Sequence, residues 1–536
     1  MTAEKERTGN FDFEYVIIGA GAAGCYTAWR LTTEGDVPSS AIAVYEMNSR
    51  IGGRIYSETL PGLGGVRPAE LGAMRFLNSQ PIITNLVKHL NFEIVTFEVD
   101  SKNNIYFLRD RHLRVADFFD PEKVPYDLKF NERGMLPGDL MIYALNSLVP
   151  DAAYLSLEEW MEVKKNFKVD GENLYNLGFW NLVQRVISQE GHHFVQDAYG
   201  YDTTVLNWNA ADAIPWFVWD FPAGVKFISI REGLQALLEK MLGEAQKKGA
   251  HFEKEARMIK WEFLEERKDS GFRLHFENEN QKPVTTKNLI LALPRRAIEL
   301  LDMPALSLEM RKALASVTPQ PLFKLFQGYS CPWYRPLGLK AGRTITDLPL
   351  RQVYYWGSNY DRFRKIDFEA ETGGRKNSPE NSMIMVSYSD GSRNNFWGSF
   401  LEQISEKQEG LIENLEPLRG KVSNFISEVE EELRAIHDLT YIPKPYTLAY
   451  ANWDKDPFAG GWHTWKVGVK SWELSQKIRR PYPGYSVFIC GEAYSDLQGW
   501  IEGAFLSAEQ LLEKEFGLSR PEWLPEDKKL LGIDVV

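Results

Sequence analysis

Cysteine, histidine and long apolar runs are all scarce in this chain of 536 residues, and each shortage excludes a class of protein. Its three cysteines, Cys25, Cys331 and Cys490, are widely separated singles without a CxxC pair. They read as small core residues, neither a disulfide framework nor thiolate metal ligands. Of eight histidines, His192 and His193 are adjacent, and neighbours cannot share one helix face as paired zinc ligands normally do. No metal is expected. The longest apolar runs, such as VIIGAGAAG at 16–24, are far shorter than the roughly 20 residues of a membrane span. Residues 1–14, MTAEKERTGNFDFE, have no apolar signal core. A cytoplasmic location is the default, although a secreted form with its leader removed would look the same. An excess of positive charge is also missing: 62 Lys and Arg face 74 Asp and Glu, for a net charge of −12, which argues against nonspecific nucleic-acid binding.

The composition, 44% apolar and 25% charged, is that of a globular protein, and the length calls for two or three lobes. Residues 13–18, FEYVII, read as a buried strand, GAGAAG follows with Gly19, Gly21 and Gly24, and CYTAWRL has the composition of a helix. A second strand, AIAVYE, ends at Glu46, 22 residues beyond Gly24. This is the dinucleotide fingerprint in its required context. Gly19 permits the tight turn, Gly21 a close approach to a pyrophosphate, and Gly24 close helix packing, with the helix start at Ala22 and Ala23 facing the phosphates. Glu46, followed by Met47, is placed to accept from ribose hydroxyls.

Elsewhere single charged residues stand in apolar company. In RPAELGAMRF, Arg75 ends a Gly-Ala-Met run, and a buried, unpartnered cation costs several kcal/mol. Its partner need not belong to the protein. PLFKLFQGYS places Lys324 inside an apolar strand, either as an edge lysine reaching for water or as a functional amine of lowered pKa. In RQVYYWG, Tyr354 and Tyr355 face opposite sides of a strand, so at most one points into a site. NSMIMVSYSDG offers Tyr388 as a third candidate. IPWFVWDF clusters Trp216, Trp219 and Phe221, which read as core with Trp219 retained as a pocket candidate. The run ISEVEEELRAIHD, 426–438, reads as a solvated helix face, and 371–381 as a surface loop. Near the end, SVFIC reads as a strand and IEGAFLSAEQLL as a helix whose first turn begins near Gly499.

MNSRIGGRIYS follows Glu46 directly, and this R-x-G-G-R turn resembles that of the flavin amine oxidase family, where it marks FAD rather than NAD. The resemblance covers nearly the whole chain, with ELGAMR, PLFKLF, TDLPLRQVYY and GEAYSDLQGWIEGA in family order. ELGAMR and TDLPLR look most like the L-amino-acid oxidases. The resemblance implies a mixed α/β and α+β fold. A Rossmann-like, GR2-type FAD-binding lobe would comprise 11–75, 231–318 and 446–516, a mixed-sheet substrate lobe 76–130 and 319–445, and a helical domain 131–230.

It also implies site residues. FAD would be bound by the fingerprint residues, by Gly53 and Arg54, by Gly72, Ala73, Met74 and Arg75, and by the backbone of Met258 at the adenine. Glu492 and the run Gly499, Trp500, Ile501, Glu502, Gly503 and Ala504 would complete that set, with the helix N-terminus stabilising negative charge on the flavin. Arg75, Tyr388, Gly499, Trp500 and Trp219 would meet substrate, and Lys324 would hold a catalytic water. The implied activity is oxidative deamination of L-amino acids, aromatic or broadly apolar, by hydride transfer to FAD. Products are 2-oxo acid, ammonia and hydrogen peroxide, with oxygen as acceptor and a homodimer or higher homo-oligomer as the assembly. The alternatives are an amino-acid monooxygenase, a monoamine or polyamine oxidase, and a flavin-binding redox sensor without catalysis.

Overall fold

The computed structural model describes residues 11–220, 225–265, 271–359, 380–402, 409–415 and 419–534. Phe221 and most of the 371–381 stretch lie outside them.

Two large sheets organise the chain. The first runs, from edge to edge, His251–Glu253, Ile42–Tyr45, Phe13–Ile18, Val284–Leu291, Phe272–Phe276 and Met258–Phe263. Val487–Ile489 adds a parallel partner to the second half of Val284–Leu291, whose first half pairs antiparallel with Phe272–Phe276. The parallel strands are covered on both faces, and Val16, Ile17, Ile42, Ala43 and Val44 are accordingly fully buried. Helices Ala22–Glu34, Leu234–Lys247 and Ile501–Phe516 pack together on this sheet. Leu234–Lys247 buries Leu234, Leu237, Leu238, Met241, Leu242 and Ala245, a single apolar stripe at helical spacing. Ile501–Phe516 is buried continuously from Ile501 to Leu512, so it lies inside the lobe.

The parallel strands all deliver their carboxyl ends to one edge, where Gly19, Glu46 and Ala292 follow the last strand residues and Gly491 comes two after Ile489. In open α/β sheets ligands collect at that edge.

The second sheet is mixed: Glu409–Ile412, Thr447–Asn452, Leu322–Tyr329, Ser382–Asp390, Gln352–Ser358, Arg343–Thr346, Tyr106–Leu108 and Arg111–Leu113. Lys324 is the cross-strand partner of Tyr388, and a register shift follows between Leu325 and Phe326. The two side chains therefore stand on one face of the sheet.

Helices Pro137–Leu148, Leu157–Asn166, Gln189–Tyr199 and Ala210–Asp220 form a third cluster with its own core. The stretch expected to be helical also carries a short hairpin, Lys168–Val169 with Glu172–Asn173, and a strand, Phe227–Ile230. That strand joins Phe76–Leu77 to Ile94–Thr96. His192 is buried and stacked on Trp180 at 4.7 Å, and its ring meets that of His193 edge-on at 6.3 Å. The acidic run at 426–438 differs from expectation. Helix Arg419–His437 buries Val429, Leu433 and Ile436, and the Glu432 carboxylate accepts from the Leu350 amide at 2.9 Å. Apolar residues at helical spacing among the acids turn one side of that helix inward.

Candidate active site

A cavity of about 290 Å³ runs from the edge of the first sheet to the face of the second. At one end glycines bring backbones into contact. A Cβ on Gly24 would lie 1.9 Å from the Gly19 carbonyl oxygen, so Gly24 seats helix Ala22–Glu34 on the turn and does not itself line the cavity. Gly19 sits at φ 98°, in the left-handed region that glycine tolerates. Gly21, Ala22 and Ala23 line the cavity. The Gly52 amide donates to the Ala20 carbonyl at 2.8 Å, folding the R-x-G-G-R turn onto the fingerprint. ELGAMR locks onto the same turn: a Cβ on Gly72 would lie 1.9 Å from the Arg54 carbonyl oxygen, and the Ala73 amide donates to that oxygen at 3.1 Å. Three motifs distant in sequence thus form one wall, which includes Met47, Gly53, Arg54, Gly72, Ala73, Met74 and Arg75.

Glu46 accepts from the Ala20 and Asn48 amides at 2.8 and 2.9 Å, and burial still pushes its carboxyl upward. Glu492 accepts from the backbone amides of His463 and Gly499, both at 2.9 Å. It also pairs with Arg54 at 2.9 Å and meets His463 Nδ1 at 2.9 Å. Met258 lies on the wall beside Ala256, Arg257 and Ile259.

The closing helix meets the cavity through Trp500, Ile501 and Ala504, with Gly499 before them at φ 82°. Glu502 and Gly503 do not line it. Steps of 100° turn Glu502 toward helix Pro81–His89, where its two oxygens accept from the Ile82 and Ile83 amides at 2.8 Å each. A Cβ on Gly503 would collide with the Leu497 carbonyl oxygen at 2.0 Å, so this glycine serves close packing.

At the other end stands Arg75. Its Nη1 donates to the Tyr354 hydroxyl at 3.0 Å and its Nη2 to the Tyr201 hydroxyl at 3.1 Å. The guanidinium lies 4.2 Å from the centroid of the Phe227 ring. Among the described residues no carboxylate pairs with it, so its charge rests on neutral groups alone. Tyr355 faces the other side of its strand, bonded to Thr344 and His437 at 2.7 Å each, as the alternation requires. Tyr388 lines the cavity, its ring edge-on to Tyr201 at 5.5 Å.

Lys324 is 1% exposed and donates to the carbonyl oxygens of Glu70 at 3.1 Å and Gly72 at 2.5 Å. Burial lowers its pKa to about 7, Arg75 and Arg67 push the same way, and Glu70 opposes them. Such an amine exchanges a proton near neutrality.

Trp219 departs from its expected place. It packs edge-on against Trp160 at 6.3 Å, whereas Trp216, three residues earlier, lines the cavity. Further lining residues escaped the sequence reading: Tyr201, Thr203 and Thr204 from the helical segment, Asp390 after Tyr388, and Trp462. A Cβ on Gly499 would lie 2.9 Å from the Trp462 ring, so this second tryptophan abuts the turn that carries Trp500. The signals were the Gly-Gly step before Trp462 and the Tyr-Gly-Tyr that ends a helix at Gly200. Among the described residues no cluster of metal-ligating side chains is found, and no helix is long and apolar enough to cross a membrane.

Comparison with known proteins identifies the family and the fold. The model of the flavin-containing amine oxidoreductases matches residues 22–510. Aplysianin-A of Aplysia kurodai is 26% identical over 532 residues, covering 93% of this chain and 89% of its own. L-amino acid oxidase Bs29 of Bothriechis schlegelii is 23% identical, covering 92% and 88%. A solved structure of putrescine oxidase with putrescine bound shares the fold at a TM-score of 0.64 and 14% identity, over 94% of this chain and 99% of that one.

Proposed function

Because the chain belongs to the flavin-containing amine oxidoreductases, we propose that it is an FAD-dependent oxidase of L-amino acids. The balanced reaction takes an amino acid, dioxygen and water to a 2-oxo acid, ammonium and hydrogen peroxide. The observation that carries the proposal is Arg75, a cation on the cavity wall whose two protein hydrogen bonds end on neutral tyrosine hydroxyls. An amino-acid carboxylate supplies the missing charge and accepts from the guanidinium fork, a geometry that arginine provides and lysine does not.

The phosphate end fits a dinucleotide. Helix Ala22–Glu34 begins at Gly21 with no side-chain cap, leaving its first N–H groups for an anion. A Cβ on Gly21 would meet no protein atom closer than 3.8 Å, so the glycine keeps that space open to the cavity. Glu46 and Glu492 would accept from the hydroxyls of the bound group, and Arg54 would face its phosphates. When bound, FAD supplies the hydride acceptor and, with dioxygen, the route to peroxide.

The chain's own residues supply orientation and proton handling. Arg75 fixes the substrate carboxylate, Tyr388 donates a hydrogen bond to it, and Trp500 and Trp462 wall the space around the α-carbon. The substrate ammonium must lose a proton before hydride can leave. Lys324, neutral in part near pH 7, accepts it through a water. The lining Tyr201, Tyr388, Trp216, Trp462 and Trp500 suit aromatic or apolar side chains.

A second reading, an amine oxidase, draws on the pair Trp462 and Trp500, because amines are held between aromatic faces. An amino-acid monooxygenase would use the same carboxylate anchor. One assay of the purified yellow protein separates the three. Peroxide and 2-oxo acid in equal amounts from L-amino acids, with little from D-amino acids or simple amines, is the expected result. Equal turnover of decarboxylated amines would overturn it in favour of the amine oxidase, and an amide with carbon dioxide in favour of the monooxygenase.

A further inference from the structure

We propose that Gln352 is the positioning residue of the carboxylate anchor, holding both tyrosines that hold Arg75; this rests on the reading of Arg75 given above. Gln352 is fully buried and does not line the cavity. It opens the strand Gln352–Ser358 two residues before Tyr354, so both side chains stand on one face. Its Oε1 accepts from the Tyr354 hydroxyl at 3.1 Å and from Arg343 Nη1 at 2.8 Å. Its Nε2 donates to the Gly200 carbonyl at 2.7 Å, one residue before Tyr201.

These partners leave the amide a single orientation. Arginine offers only donors and a carbonyl only an acceptor, so oxygen must face Arg343 and nitrogen must face Gly200. The orientation fixes that of the next group. The Tyr354 hydroxyl gives its one proton to Gln352, which leaves its lone pairs for Arg75 Nη1. On the other arm, Gly200 ends helix Gln189–Tyr199 at φ 89°, and a Cβ there would lie 3.0 Å from Gln352 Cγ. The glycine lets the helix end sit directly on the amide. Arg351 fastens the same helix end by donating to the carbonyls of Gln196 at 2.7 Å and Asp197 at 3.1 Å. Tyr201 is thereby delivered to Arg75 Nη2 from a segment remote in sequence. One side-chain amide thus joins the helical cluster to the second sheet and aligns both prongs of the guanidinium. Near-isosteric replacements break the set: ionised glutamate lacks the donor, methionine lacks both functions, and asparagine is a methylene short.

The test uses the full chain loaded with FAD and compares Gln352→Met, Gln352→Glu and Arg75→Ala. Benzoate, a carboxylate without an amine, is the probe, its affinity read from the perturbation of the flavin spectrum. KM, kcat, melting temperature and bound FAD are measured alongside. Gln352→Met should weaken benzoate and raise KM for the L-amino acid together by about tenfold, the equivalent of one lost buried hydrogen bond, while kcat moves far less. Gln352→Glu keeps the volume and an oxygen for Tyr354 and Arg343 but sets a second oxygen against the Gly200 carbonyl in place of the donor, and should give a loss in the same two quantities. Should Gln352→Met fail to fold or to bind FAD, Gln352→Glu decides alone. If melting temperature falls while benzoate affinity and KM of the FAD-loaded fraction stay at wild-type values, Gln352 is merely structural and the inference is overturned. Loss of benzoate binding in Arg75→Ala in that same experiment leaves the anchor reading standing. If Arg75→Ala itself binds benzoate as wild type does, the anchor reading falls instead.

Discussion

Glu492 and Arg54 meet at 2.9 Å at the cavity wall, joining the last strand-turn-helix of the chain to the first nucleotide-binding motif. Burial alone would raise the Glu492 carboxyl, but Arg54, His463 and the Gly499 amide outweigh it and hold the pKa at about 2. A depressed acid contributes stability that is present above the unfolded value near 4.5 and lost as pH falls toward 2. The full contribution is on the order of 3 kcal/mol. Glu492→Gln should therefore be less stable than wild type in denaturant titrations at pH 7, with the gap narrowing between pH 5 and pH 3. A gap that does not change with pH would mean that the charge contributes nothing.

Arg75→Ala should keep its yellow colour and lose catalytic efficiency toward amino acids by roughly 2 to 4 kcal/mol, expressed mainly in KM. Arg75→Lys restores charge but neither the fork nor the simultaneous grip on Tyr354 and Tyr201, so it should recover only part of the loss. Steady-state kinetics on an L-amino acid and on its decarboxylated amine provide the control. The amine, which has no carboxylate to lose, should be indifferent to both changes.

Lys324 links pH to chemistry. Its folded pKa of about 7 lies below the ordinary 10.5, so the neutral amine predominates above neutrality in the fold but not in the unfolded chain. The charged form consequently costs stability at pH 7 and below, and the cost fades as pH rises toward 10.5. Flavin reduction measured by anaerobic rapid mixing should accelerate as pH rises through about 7 in the wild type. Lys324→Met should be slower and should lack the inflection near 7, its rate following only the substrate's own amine. An unchanged profile, together with unchanged reoxidation, would remove the proton-relay role.

Legibility in the sequence followed the range of the interaction. The fingerprint was readable because Gly19, Gly21 and Gly24 answer to a turn and helix within six residues of each other. Arg75 was readable because a permanent charge in apolar company demands a partner wherever the chain goes. Gln352 was not, because nothing local distinguishes it from a core residue, and the only local marks of Tyr201 and Trp462 are the glycines before them, Gly200 and Gly461. Their roles arise only when the end of helix Gln189–Tyr199, the Gly499 turn and the strand Gln352–Ser358 are brought together. Trp219 and Trp216 were confused for a related reason: three residues on a helix differ by 60° in direction, enough to move one ring off the cavity.

Glu502 gives the sharpest separation of stability from binding. It stands in the same short motif as Trp500, Ile501 and Ala504, which line the cavity, yet its carboxylate caps another helix. Residues Ile82 and Ile83 lie in the first turn of Pro81–His89, where N–H groups have no partner within the helix and favour negative charge. Glu502→Ala strands two buried donors and should cost about 2 kcal/mol or more in equilibrium unfolding, while KM and FAD affinity of the folded enzyme remain near wild type. Glu502→Gln, with one carbonyl oxygen for two donors, should fall between them. If FAD affinity drops in Glu502→Ala and stability does not, the side chain belongs to the cofactor site after all, and the helix must turn differently when FAD is bound.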